Sequence, residues 1–71
     1  MSYDKKVQLL KQNIKKAILI PGTIRIAKLS GILEKVNRTT IVVKCPYFDS
    51  YLDVNYRIIG IDFETVQFRE I

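Results

Sequence analysis

Cys45 is the one thiol in this 71-residue chain, and the chain contains no histidine. A serine or cysteine nucleophile needs a neighbouring base to activate it, so no Ser/His/Asp or Cys/His relay can be assembled. Cys45 closes a hydrophobic run and reads as a small buried hydrophobe. A zinc site of thiolates and imidazoles fails for want of ligands. Two acid pairs, Asp49 with Asp53 and Asp62 with Glu64, have a spacing that shared acid–base or metal chemistry could use. Acids beside turns more often serve solubility and turn hydrogen bonding. Three scattered glycines match no phosphate-binding loop. The expectation is therefore a chain that is not an enzyme, with no catalytic residue, metal, cofactor or small-molecule substrate.

Charge is the chemistry that remains. Ten of the twelve Lys and Arg residues lie in the first 44 positions against two acids, a net +8. The last 27 residues carry two basic residues against five acids, a net −3. Net charge informs on association rather than on fold. Lys5, Lys11, Lys15 and Lys16, together with Arg25, Lys28, Lys35 and Arg38, are the candidate basic face for nucleic acid. Such a face would attract phosphates in a salt-dependent way, and its excess of lysine over arginine favours phosphate attraction over base readout. The plain alternative is a solvated helix face plus charges that protect strand edges. Tyr47, Phe48 and Tyr51 cluster around one loop in the acidic half. Aromatic side chains can stack on unpaired bases, fill the end of a small core or anchor a protein partner. The expected partner is nucleic acid or a regulatory protein, with self-association as a further route to stability.

The elements that must position these residues follow from periodicity. Tyr3, Val7, Leu10, Ile14 and Ala17 stack on one face of a helix over about 3–17, with Ser2 or Asp4 at its start. Pro21-Gly22 marks a turn. Alternation of Ile24 and Ile26 with Arg25 predicts a strand over 23–28, interrupted at Ser30-Gly31 and continued over 32–36. Asn37-Arg38 is the hairpin tip. The β-branched run over 39–45 is a strand, 46–50 a loop, and 52–58 and 65–69 further alternating strands. One helix followed by about five short strands predicts a mainly β fold. It is read as a single domain over 1–71, with the helix followed by a five-stranded SH3-like or Sm-like barrel over about 18–70. An open sheet with the helix on one face is the alternative.

A chain of this length builds only a small core. A single cysteine excludes an internal disulfide. The absence of an apolar run of spanning length and of a signal-like start predicts a cytoplasmic protein without membrane contact.

Ser30-Gly31-Ile32-Leu33, and the segment from Val54-Asn55-Tyr56 to Glu64-Thr65-Val66-Gln67-Phe68, resemble the Veg protein family of Gram-positive bacteria. That family has a similar S-G-[IV]-L strand and a later V-S-Y…E-T-V-E-L ending at nearly the same spacing. The likeness spans residues 2–70 in layout and these two segments in identity. The family's basic Gly-Arg-Lys turn is replaced here by Pro21-Gly22-Thr23-Ile24-Arg25, and its Pro-Ser-x-Phe segment by Asn37-Arg38-Thr39-Thr40. The resemblance implies an SH3-like barrel with an N-terminal helix and a non-enzymatic bacterial role in transcription regulation and biofilm formation. A second likeness, carried by the bent 31–36 strand and Tyr56-Arg57-Ile58-Ile59, is to the Sm and Hfq-like RNA-binding ring proteins. The His of their bacterial RNA-binding motif is absent here.

Overall fold

Ser2 starts the helix: its Oγ accepts a hydrogen bond from the Lys5 backbone N–H at 3.3 Å. In the computed structural model, which describes all of residues 1–71, helix α1 spans Tyr3–Gln12. Asp4 lies in its first turn and Lys11 in its last, each at the favourable end of the helix dipole. Five strands follow: β1 (Ala17–Ile20), β2 (Leu29–Val36), β3 (Thr40–Tyr47), β4 (Ser50–Arg57) and β5 (Gln67–Arg69), with a 3₁₀ turn at Ile58–Gly60 between the last two. They form one antiparallel sheet in the order β4-β3-β2-β1-β5. The fold is thus mainly β, with one N-terminal helix. The sheet is not closed, because its terminal strands β4 and β5 do not pair.

Three sequence expectations are corrected. The helix stops at Gln12 instead of continuing to about 17. Asn13 caps it, donating its backbone N–H to Leu10 O at 3.0 Å and its Nδ2 to Leu9 O at 2.7 Å. Lys15 then takes a left-handed φ of 73° and donates its N–H to Leu33 O at 2.7 Å. The apolar run beyond it becomes β1, held by β2 on one side and β5 on the other. The expected strand over 23–28 is instead a turn. Thr23 Oγ1 accepts from the backbone of Arg25 and Ile26, and Thr23 N–H donates to Ile26 O. A side chain that satisfies local amides in this way competes with a strand ladder, and Ile24 is left fully exposed. Finally, β3 runs through Pro46 to a two-residue turn at Phe48-Asp49, and Pro46 pairs with Tyr51. Tyr47 and Ser50 flank the turn as a hydrogen-bonding pair, so alternation turns the Pro46 nitrogen away from β4 and toward β2, whose ladder with β3 stops at Lys44, and its missing N–H costs nothing.

Strand alternation sorts the sheet into two faces. Inward residues Ile18, Ile20, Leu33, Ile41 and Val43 meet Leu10 of α1 and Ile58 and Ile61 of the β4–β5 connection, and these eight residues are the core. Val7, Val36, Tyr56, Phe63 and Phe68 pack around it. The connection over 58–66 therefore lies across the inner face where β4 and β5 fail to meet. A turn built on Asp62, whose Oδ1 accepts from Glu64 N–H and whose carbonyl accepts from Val66 N–H, shapes its return to β5. Lys6 Nζ sits 5.5 Å from the Phe63 ring centroid, a cation–π contact between α1 and this connection.

Candidate nucleic-acid interface

The outer face of the sheet has no helix or loop packed on it. Register places Ile32 opposite Lys44, Lys35 opposite Val42, and Lys44 opposite Asp53. Ala17 stands between Ile32 and Arg69. Lys35, Lys44, Tyr51 and Asp53 line one shallow groove on this face, and Lys28, Ser30, Gln67 and Arg69 line another beside it. Alternation along β4 places Arg57 on the same side as Asp53 and Asn55. A β-bulge between Leu33 and Lys35 lets Leu33 point into the core while Lys35 faces outward.

The face therefore carries Lys35 and Lys44 beside a half-buried apolar centre of Leu19, Ile32 and Val42, with Lys28, Arg57 and Arg69 toward its margins. Lys44 Nζ lies 5.1 Å from the Tyr51 ring centroid, so an aromatic plane and a cation are presented together. The acids on this side are Asp53 and Glu34. Glu34 is already engaged by Lys15 at 2.5 Å. The hydrogen bond from Lys15 holds the Glu34 carboxyl below the usual carboxylate range; the charges of Lys15 and Lys44 reinforce this, against an opposing push from desolvation.

That depressed value fixes a sign for pH. A carboxyl whose folded pKa lies below its unfolded one stabilises the fold above the ordinary carboxylate range and loses that contribution as pH falls through the folded value. The pair is open to solvent, so the effect is small. Thermal melts of wild type and Glu34→Gln should differ slightly at neutral pH and converge in strong acid. A gap that persists unchanged into strong acid would show that the pair is not its source.

The candidate basic residues divide between two sides of the molecule. Lys28 and Lys35 belong to the sheet face. Lys5 and Lys11 are exposed on α1, which covers the inner face, and Arg38 joins Lys11 beside the groove between α1 and the β2–β3 turn. There Tyr3 Oη donates to Arg38 O at 2.8 Å, tying the helix start to that turn. Lys15 and Lys16 lie in the α1–β1 connection and are ion-paired, Lys15 with Glu34 and Lys16 with Glu70 at 3.0 Å. Arg25 sits exposed in the β1–β2 connection. Sequence reasoning missed Lys44, Arg57 and Arg69. Outward alternation against Val43, Tyr56 and Phe68 was the available signal, but only register shows that three separated strands share one side.

The aromatic cluster does not fill an end of the fold. Tyr47 and Tyr51 are both 56% exposed and Phe48 is 90% exposed. Phe48 holds a left-handed φ of 54° at the turn, with its ring edge-on to Tyr47 at 4.6 Å between centroids. Cys45 is half-buried on the inner face, and desolvation pushes its thiol pKa up, away from the reactive thiolate. Asp49 and Asp53 are separated, one in the turn and one along β4. No group of three or more His, Cys, Asp and Glu side chains converges anywhere, and no helix is long and apolar enough to cross a membrane. No family model, curated protein or solved structure matches the chain.

Proposed function

We propose that this chain is a small non-enzymatic regulatory protein that binds nucleic acid through the outer face of its sheet. The observation that carries this reading is the presence of Lys28, Lys35, Lys44, Arg57 and Arg69 on one uncovered face, with Tyr51 beside Lys44. Lysines dominate the middle of the face, which suits diffuse attraction to a phosphate backbone. Tyr51 offers a stacking surface that a single strand can use and a duplex cannot. A regulatory role of this kind agrees with the likeness to the Veg family. The order β4-β3-β2-β1-β5, in which the last strand returns beside the first, supports an SH3-like open barrel as the finer description of the fold.

The test is a salt titration of binding to a generic single-stranded RNA and to a generic DNA duplex. Engagement of about four phosphates should give log Kd against log[salt] a slope magnitude near 3–4, shallower for the single strand than for the duplex. Lack of binding to either at about 50 mM salt would end the proposal. A second reading, contact with a protein regulator through Tyr47 and Phe48, rests on the exposure of Phe48 in a left-handed turn position. It calls for Phe48→Ala to weaken a protein complex while leaving nucleic-acid affinity intact.

A further inference from the structure

Strand β4 is an open edge with few of the usual protections, the charges of Asp53 and Arg57 apart. Natural edges are kept apart by shortness, Pro, charged side chains (Lys above all) or bulges. β4 is eight residues long and contains neither Pro nor Lys, and all eight of its residues pair with β3 without a register shift. The other edge, β5, has three residues and ends on Arg69. β4 also leaves apolar surface open: Leu52 is 50% exposed and Ile59, just beyond the strand, is 84% exposed. The whole chain exposes 5434 Å², whereas a folded monomer of its mass exposes about 4,600 Å².

We propose that β4 pairs antiparallel with β4 of a second copy of this chain about a two-fold axis at Val54. The hydrogen-bond phase allows it. Tyr47 and Ser50 form the hydrogen-bonding pair that closes the turn, so Leu52, Val54 and Tyr56 spend their backbone groups on β3. The N–H and C=O groups of Tyr51, Asp53, Asn55 and Arg57 point to the open edge. Side-chain chemistry then selects the register. An axis at Asp53 sets two carboxylates directly opposite each other, which is unfavourable. An axis at Asn55 shortens the ladder to residues 53–57. An axis at Val54 pairs residues 51–57. It places Leu52 against Tyr56 on the inner side, sets Asp53 opposite Asn55, and puts Arg57 opposite Tyr51 and diagonal to Asp53, within reach of its long side chain.

This pairing is isologous and closes at two copies. It aligns two five-stranded sheets into one of ten strands, roughly 45 Å across at normal strand spacing, with both basic faces on one side. Joining β4 to β5 head-to-tail would make a ring instead, but the three residues of β5 cannot satisfy the length of β4.

Sedimentation equilibrium of the full chain, without nucleic acid, tests this independently of the binding proposal. Wild type should sediment at twice the chain mass in the micromolar range. Asn55→Pro removes an amide facing the open edge while keeping the β3 ladder, and Leu52→Lys charges the exposed inner side; each should sediment as a folded monomer. A cysteine pair gives a second measurement that does not depend on those variants folding. In a Cys45→Ser background, Val54→Cys should form an intermolecular disulfide on mild oxidation, because directly opposed non-hydrogen-bonded residues lie at bridging distance. Asn55→Cys should not. A wild-type monomer, a ring-sized oligomer, dimerisation that survives in folded forms of both variants, or cross-linking through Asn55→Cys in place of Val54→Cys would each overturn the proposal.

Discussion

Leu33→Ala is expected to remove about 3–4 kcal/mol of folding free energy. Leu33 is completely buried in a core of only eight residues. It also joins two parts of the fold through its backbone, donating to Lys16 O at 3.0 Å and accepting from Lys15 N–H at 2.7 Å. Shrinking the side chain removes transfer free energy and leaves a cavity. Its neighbours Ile18, Ile41 and Val43 are fixed in paired strands and can collapse only partly. A domain of this length holds on the order of 4–10 kcal/mol in total, so the change consumes a large share of it. Urea denaturation should show a much lower midpoint with an unchanged slope. Ile26→Ala, at a half-exposed position in the β1–β2 connection, should cost less than about 1 kcal/mol. Similar losses for the two would mean that the core is not where it has been placed.

Gly31→Ala should be comparably damaging, at about 3 kcal/mol, the upper end for overpacking. A Cβ at Gly31 would meet the Lys44 carbonyl oxygen and would lie 2.9 Å from both the Lys44 carbonyl carbon and Val43 Cγ1. Two of those three atoms are backbone of the neighbouring strand and cannot swing aside. Replacing a strand glycine elsewhere can gain about 0.4–1 kcal/mol by restricting the unfolded chain, and here the steric cost exceeds that gain. Gly60→Ala makes the contrast, because its Cβ would meet only the Tyr56 ring, at 3.3 Å. A ring can shift, so less than about 1 kcal/mol should be lost. Equal stability of Gly31→Ala and wild type would refute the close approach of β2 to β3. Since Lys44 is the contact, the same clash should also disturb the basic face.

The parts of the fold that were legible in the sequence are those where local pattern and burial coincide. The β-branched residues over 39–45 form most of β3, and the alternation over 52–58 marks β4. Two errors share a cause. Ala17 to Ile20 is too short a run to distinguish period 2 from period 3.6, and pairing with both β2 and β5 decides it. Ile24 and Ile26 alternate as a strand would, yet no neighbour receives them, and Thr23 ties that segment into a turn. The site was partly legible in the same sense. Lys28 and Lys35 were among the candidates, but the division into a basic first half and an acidic second half concealed Arg57 and Arg69. Linear charge bookkeeping cannot see that strands distant in sequence share a face, or that α1 carries Lys5 and Lys11 to the opposite side.

The assignment of nucleic-acid binding to the sheet face is tested most directly by two double variants of equal charge change. Lys35→Glu with Lys44→Glu alters the sheet face, and Lys5→Glu with Lys11→Glu alters the exposed side of α1. Both are measured by RNA-binding anisotropy at about 50 mM salt, where phosphate contacts are strongest. The sheet-face pair should weaken binding by at least about tenfold and lower the salt slope by about 2. The helix pair, acting only through a screened long-range field, should weaken it by less than about threefold. Equal losses, or a greater loss from the helix pair, would contradict the assignment.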